Sequence, residues 1–374
     1  MKFLLCAPVY PPSVGGVQTL SYSLAAGLVR RENRIRVLAR GWEEDADIDA
    51  ETAPAEVTRV GLKPLLWPVF ARIVVAQRPD AVLLTHRADF LRPAFYARRM
   101  MGVPVAVVVH GNEVYGSRRR EKLIVSLGRA DAVIAVSHYA HGRLLEMGLR
   151  PEKTFAIPNG VSFSSFDGSE AGAVARRELG LGGKKVILSV GRLARVKGFD
   201  AVIRALPQVA ERHPDVIYLI VGDGPERGGL RALANELGVG ERVLFLGEVS
   251  RSKLGRGSHA YYQACDVFAM PSREVAGTGA VEAFGIAHLE AGACRKPVIA
   301  GRSGGASEAV ANGESGILVD ADNPGDVESA LRRLLASPDL ARAMGESGRK
   351  RAEARTWDTV SEQYEAILKG LSSS

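Results

Sequence analysis

The feature that most constrains how this chain can fold is a rhythm. Short β-branched or apolar runs alternate with amphipathic stretches almost from end to end of its 374 residues. That is the pattern of parallel strands joined by crossover helices. In the first half the runs at Phe3 to Pro8, Arg34 to Leu38, Ala81 to Thr85, Val105 to His110, Ala132 to Val136 and Thr154 to Ile157 predict one doubly wound sheet. The rhythm breaks around residues 158 to 183, where Pro158-Asn159-Gly160 opens a turn. A Ser/Gly-rich passage from Ser162 to Gly172 then leads to Gly182-Gly183 and reads as the linker. A second cycle follows, with strands expected at Val186 to Val190, Val216 to Val221, Val243 to Leu246, Val267 to Met270, Pro297 to Ala300 and Gly316 to Val319. Trp357 to Leu371 reads as one amphipathic helix whose apolar face needs a partner.

The length suits two domains, since one domain commonly holds about 100 to 200 residues. With 46% hydrophobic residues, the composition is that of a globular protein. The apolar start, Met1 to Tyr10, is too short for a signal peptide and reads as the first strand. No uncharged apolar stretch approaches the roughly 18 residues that would span a bilayer. Cys6, Cys265 and Cys294 make an odd count without metal-ligand spacing, as expected of buried thiols in a cytoplasmic protein. The net charge of +7 concentrates early, in Arg30, Arg31, Arg34, Arg36 and Arg40, then Arg98 and Arg99, then Arg118, Arg119, Arg120 and Lys122. No aromatic binding motif is interleaved with these residues, which argues against nucleic acid.

Three constellations carry chemistry. In PPSVGGVQ, Pro11 to Gln18, Gly15 and Gly16 stand between the first strand and a helix, where bare backbone amides can approach a phosphate or sugar. A simple tight turn would read the same way. After the strand at Val186 comes GRLARVKG, in which Arg192 and Lys197 leave a carboxyl strand end, the ligand edge of open parallel sheets. Two cations there suit a diphosphate and would stabilise it as a leaving group, while Arg195 reads as solvated. Third, Glu282 and Glu290 are separated by seven residues, with Phe284-Gly285-Ile286 between them. A helix beginning near Gly285 would turn its amides toward a phosphate. The two carboxylates could then divide sugar hydroxyls and ribose diol between them.

Other features are weaker. Gly304, Gly305 and Glu308 form a glycine turn suited either to a ligand wall or to a plain helix start. His110, in His110-Gly111-Asn112-Glu113, leaves the first sheet at its carboxyl edge. Gly222-Asp223-Gly224-Pro225 suggests a dinucleotide fingerprint, but Pro225 and the absent third glycine spoil it. Asp45-Ala46-Asp47 and Asp320-Ala321-Asp322 read as solvated loops, so no metal site is expected.

Taken in order, PPSVGGVQ, VHGNE, IPNGV, SVGRLARVKG, VGDGP, ACDVFAMPS, EAFGIAHLEAGAC and SGGASEAV resemble the family-4 retaining glycosyltransferases, over nearly the whole chain. The resemblance implies an α/β chain of the GT-B fold, with two Rossmann-like doubly wound parallel-sheet domains facing across a cleft. Residues 1–165 plus 355–374 would form the acceptor-side domain with a returning C-terminal helix, and 166–354 the nucleotide-sugar domain. It implies a metal-independent, retaining hexosyltransferase for which the nucleotide-diphosphate sugar is a substrate, so no cofactor is expected. Arg192 and Lys197 would hold the donor diphosphate, Glu290 the ribose, and Glu282 the sugar hydroxyls with the Phe284, Gly285 and Ile286 backbone. Gly15, Gly16 and His110 would belong to the facing domain.

The loop SREVAGTGAVEAFGI resembles that of bacterial phosphatidylinositol mannosyltransferases, which makes GDP-mannose the favoured donor with UDP-sugars second. Apolar residues beside Arg92, Arg98, Arg99 and Arg118 to Lys122 suit a lipid-linked or glycan acceptor and peripheral contact with an anionic membrane at its inner face. Ordinary amphipathic crossover helices would give the same pattern. The competing readings are a non-catalytic nucleotide-sugar-binding protein and a nucleotide-sugar epimerase. A dinucleotide-dependent oxidoreductase is disfavoured by the broken glycine fingerprint.

Overall fold

The computed structural model describes residues 1–13, 15–41, 54–87, 89–111, 120–162, 169–249 and 259–372. The chain divides into two compact units, Met1–Gly160 with Trp357–Ser374, and Val161–Thr356. Each is built on its own parallel sheet.

In unit 1 the strands are β1 (Lys2–Ala7), β2 (Arg34–Arg40), β3 (Glu56–Val60), β4 (Ala81–Leu84), β5 (Val105–Val109), β6 (Ala132–Ala135) and β7 (Thr154–Ala156). Their order is β3-β2-β1-β4-β5-β6-β7, and every pairing is parallel. Every residue of β4, β5 and β6 is buried, as a parallel sheet covered on both faces requires. The order reverses beside β1, so β1 and β4 flank the switch point where loops leave in opposite directions. The strand β3 was not expected. It lies at the sheet edge and only Val60 is fully buried, so its sequence EVTRV lacks the apolar run that marks the others.

Unit 2 contains β8 (Lys185–Val190), β9 (Val216–Val221), β10 (Val243–Gly247), β11 (Val267–Met270), β12 (Val298–Gly301) and β13 (Gly316–Val319). They run parallel in the order β10-β9-β8-β11-β12-β13. Alternate residues feed opposite faces, as the two-residue strand period dictates. Ile187, Tyr218, Ile220 and Val267 join Phe199, Val202 and Leu206 of the helix Phe199–Arg212 in one core. Val186, Leu188, Leu219 and Phe268 join Leu289 in the other. The stretch read as linker contains a helix, Ser169–Glu178. Its small face sets Ala175 against Ala260 and Ala264, a short pattern that the surrounding Ser and Gly residues obscure.

The last helix, Trp357–Ser372, belongs to unit 1 and packs on the helix Gly16–Arg30. Trp357, Val360, Tyr364 and Leu368 form its buried face. The approach is close at Gly27, where a Cβ would lie 1.9 Å from Ser361 Oγ. At the rim, Glu365 is only 4% exposed. It accepts hydrogen bonds from Asn33 Nδ2 at 2.8 Å and Arg31 Nε at 2.7 Å, and pairs with Lys369 at 2.9 Å. Burial alone would raise its carboxyl, but these donors outweigh it and bring the pKa down to about 2. Cys6, Cys265 and Cys294 are free and buried. Among the described residues no helix is long and apolar enough to cross a membrane.

Because the folded pKa of Glu365 lies below its ordinary 4.5, its contribution to stability is complete above that value and fades as pH falls toward about 2. Glu365→Gln is therefore expected to cost roughly 2 to 3 kcal/mol at pH 7 and progressively less between pH 4.5 and pH 2. Denaturant titration of both proteins across that range checks this.

Candidate functional site

The carboxyl ends of β8 and β11, the switch point of unit 2, carry most of the residues singled out in the second half. Leaving β8, Gly191 opens a loop that exposes Arg192 and Arg195 and brings Lys197 partly inward. The single turn Arg195–Lys197 stops at Gly198, whose φ of 74° and hypothetical Cβ, 2.0 Å from Pro271 O, both demand glycine. The Gly222-Asp223-Gly224 loop after β9 stacks directly on this one. A Cβ on Gly222 would lie 2.0 Å from Gly191 O, one on Gly224 would lie 2.5 Å from Leu193 O, and Leu193 N donates to Asp223 O at 2.9 Å. These glycines let two loops stack, which explains a dinucleotide-like pattern without a dinucleotide.

Glu282 meets Lys197 in an ion pair whose carboxylate is 10% exposed and whose ammonium is 23% exposed. Ser272 Oγ lies 3.5 Å from the same carboxylate oxygen. Burial pushes the Glu282 carboxyl up, but Lys197 first, then His288 and the Phe284 amide, hold it below the ordinary range. Its own carbonyl accepts from Gly305 N at 2.9 Å. Cβ atoms on Gly304 and Gly305 would lie 2.4 Å from Glu282 O and 2.0 Å from Ala283 O, so the SGG turn is a backing for the Glu282 segment.

Gly285, with φ of 88°, then turns the chain into the helix Ile286–Ala293. No side chain caps this helix start and no acidic residue occupies its first turn, so its amides face forward with the favourable end of the helix dipole. Phe284 is buried beneath, with the Arg355 guanidinium 5.8 Å from its ring centre. Glu290, inside the helix, accepts a hydrogen bond from Tyr262 Oη at 2.6 Å and stays partly exposed. Arg192, Lys197, Glu282, Phe284, Gly285, Ile286 and Glu290 thus all belong to the loops and helix at one strand edge of unit 2.

In unit 1 the corresponding edge carries the other three. Gly15 caps the helix Gly16–Arg30, which has no acidic residue in its first turn. Ser21 Oγ in that helix lies 2.8 Å from Thr85 Oγ1, just past β4. His110, past β5 and 9% exposed, places Nε2 2.7 Å from Thr85 O and stacks its ring on His86 at 5.9 Å. The helix after β1 and His110 after β5 therefore both reach Thr85 after β4, on adjacent strands. Asn112, Glu113, Arg118 and Arg119 lie outside the described residues, as do Asp45 and Asp47.

Sequence reasoning missed Ser272 and His86, each two residues beyond a strand end, and His288, inside an apolar helix face. Asp320 and Asp322 shape a turn rather than a ligand set. Asp322 N donates to Asp320 Oδ1 at 2.9 Å, and the Asp322 carboxylate pairs with Arg273 at 3.3 Å. Among the described residues no group of three or more His, Cys, Asp or Glu side chains is placed to hold a metal ion.

Comparison with known proteins fits this division. Residues 14–165 match the family model described as Glycosyltransferase Family 4, and residues 174–351 match that of Glycosyl transferases group 1. A GDP-mannose-dependent alpha-(1-6)-phosphatidylinositol monomannoside mannosyltransferase of Mycolicibacterium smegmatis is 32% identical over 98% of this chain and 98% of its own. A D-inositol 3-phosphate glycosyltransferase of Nocardiopsis dassonvillei is 30% identical over 94% of this chain and 90% of its own. The crystal structure of Anabaena HepE in complex with UDP and glucose superimposes with a TM-score of 0.82 at 23% identity, covering 99% of this chain and all of that one. At that identity the likeness speaks for the fold.

Removing one member of a buried ion pair strands the other charge, whereas removing both does not. Lys197→Met is therefore expected to lower stability by about 1 to 3 kcal/mol, discounted for the partial exposure of the ammonium. Adding Glu282→Gln should recover most of that loss. Equal unfolding free energies for the single and double variants would contradict the coupling.

Proposed function

This chain belongs to the glycosyltransferases of group 1 and family 4, and from that premise we propose that it moves mannose from GDP-mannose to a hydroxyl of a lipid-linked inositol glycan. The observation that carries the donor half is the Lys197–Glu282 pair beside an uncapped helix start, with Arg192 exposed on the same edge. A buried pair with solvent on one side can exchange partners at low net cost. Lys197 would turn to the diphosphate and Glu282 to a sugar hydroxyl, so neither charge is left bare. Arg192 adds a planar fork for phosphate oxygens, and the Gly285 turn adds backbone amides. Glu290, steadied by Tyr262, suits the ribose diol.

In this reading Arg192 and Lys197 stabilise the charge that grows on the departing nucleoside diphosphate. The work commonly given to a metal is then done by side chains, and no cofactor is needed. Transfer would proceed with retention, the acceptor hydroxyl attacking from the face of the leaving group, as the family resemblance implies. Glu282 would orient the sugar. His110, held on Thr85 O in unit 1, together with the Gly15-Gly16 helix start, would serve the acceptor side. The choice of mannose and of an inositol-bearing lipid rests on the names of relatives matched along nearly the full chain.

The acceptor also bears on where the enzyme works. On unit 1, Leu62, Leu65, Trp67 and Val75 stand exposed with Arg72, and Tyr96, Met100 and Met101 with Arg92 and Arg99. The Trp67 and Tyr96 rings, centres 6.3 Å apart, join the two groups. Leu66, Phe70 and Leu123 are core residues instead. Apolar side chains set among arginines suit peripheral contact with an anionic lipid surface.

With phosphatidylinositol mannoside as acceptor, GDP-mannose should support sugar transfer while UDP-glucose does not, and GDP release should require the acceptor. Lys197→Ala and Arg192→Ala should each lower kcat/KM by roughly 100-fold or more. A UDP-sugar donor would overturn the mannosyl reading. Wild-type turnover in either variant would remove that residue from the donor site. Trp67→Ser with Met100→Ser should reduce sedimentation with vesicles containing phosphatidylinositol at low salt. Undiminished binding would exclude this face.

A further inference from the structure

His288 is almost completely buried, 1% exposed, directly behind the Gly285 turn. Its ring reaches two backbone carbonyls. Nε2 lies 3.0 Å from Met270 O at the end of β11, and Nδ1 lies 3.3 Å from Gly285 O at the start of its own helix. The edge of Phe268 fixes the ring plane, with centres 5.6 Å apart at 88°. A Cβ on residue 285 would sit 2.2 Å from Nδ1, so the ring occupies the space that glycine leaves open. Met270 leads through Pro271, against which Gly198 packs, to Ser272, so the ring joins the turn bearing Ser272 to the turn before the helix.

A neutral imidazole carries one N–H, whereas two carbonyls face this ring. Donation from Nε2 to Met270 O leaves Nδ1 with a lone pair directed at the oxygen of Gly285. A second proton would turn that opposed contact into a hydrogen bond. Burial, together with the neighbouring Lys197 ammonium, disfavours that proton, while Glu282 and the two carbonyls favour it. In the free protein Lys197 and Glu282 cancel one another beside the ring. A bound diphosphate would draw Lys197 onto itself and bring further negative charge to the Gly285 amides, tilting the balance toward imidazolium.

We infer that His288 is a positioning residue that takes up a proton from solvent on Nδ1 as the donor diphosphate binds, clamping the Gly285 turn to the end of β11. This rests on the donor site proposed above. The proton adds a cation behind the phosphate-facing amides and converts the Gly285 O contact into a hydrogen bond. Donor affinity should consequently strengthen as pH falls, with little change in the chemical step.

The test is calorimetric titration of GDP, and in parallel UDP, into wild-type protein and His288→Gln in buffers of different ionisation enthalpy at pH 7. Gln keeps a donor for Met270 O but cannot take up the proton. The wild type should absorb a measurable fraction of a proton beyond that absorbed by the variant. Donor KM should fall several-fold more for wild type than for His288→Gln between pH 8.5 and pH 6, at similar kcat. Equal proton uptake in the two proteins, with nucleotide bound by both, would overturn the role of His288 and leave the donor site standing. Failure of the wild type to bind either nucleotide would overturn the donor site itself and this inference with it. If His288→Gln does not fold, the wild type decides: donor binding independent of pH between 6 and 8.5 would sink the proposal, and tightening toward pH 6 would sustain it.

Discussion

Lys197 and Glu282 meet where little water reaches, and that contact organises unit 2 at its ligand edge. Withdrawing two charges from solvent is costly, and their mutual attraction compensates only when geometry and further hydrogen bonds are good. Here the supporting parts come from four places along the chain. The Gly198 turn presents the lysine, Ser272 stands beside the carboxylate, the Phe284 amide faces it, and Gly304-Gly305 backs its main chain. Two of these supports, the Gly198 turn and the Gly304-Gly305 backing, depend on backbone approaching backbone more closely than a Cβ allows. The glycines in GRLARVKG, GDGP and SGG thus bring loops from several strands together, while Gly285 of AFGI turns the chain into its helix and leaves room for the His288 ring.

A pair of this kind is also easy to exchange. Its exposed side shares one strand edge with Arg192 and an uncapped helix start, so in the proposed donor site an incoming diphosphate would find positive charge and backbone amides together. The sugar would find a carboxylate kept ionised by the same lysine that the phosphate would claim. Catalytic stabilisation of a leaving group needs charge preorganised where negative charge develops, and in the proposed donor site the ion pair would hold that lysine in position until the diphosphate arrives.

Much of this could be read from the sequence because parallel sheets announce themselves. Strands buried on both faces are continuous apolar runs, and twelve of the thirteen strands among the described residues were expected within a residue or two of their observed ends. The exception, β3, sits at an edge with three half-exposed residues, where burial leaves no such signature. The helix Ser169–Glu178 was hidden because its packing face is made of alanines. Arg192, Lys197, Gly285 and Glu282 could be singled out because charges and glycines grouped in short motifs after strands suit a phosphate. His288 was not, since its neighbours Ala287, Leu289 and Ala291 read as a buried helix face. Only the fold reveals two carbonyls, one from β11, converging on its ring. The Gly222-Asp223-Gly224 loop shows the converse, a familiar pattern whose glycines answer a packing requirement.

The most direct measurement is a crystal structure with GDP-mannose, or GDP and mannose, soaked into the protein. The Lys197 ammonium is expected to leave Glu282 for a phosphate oxygen, Glu282 to accept from a sugar hydroxyl, and the diphosphate to sit on the Gly285 amides with Arg192 alongside. A nucleotide bound elsewhere, with the Lys197–Glu282 pair intact, would contradict this.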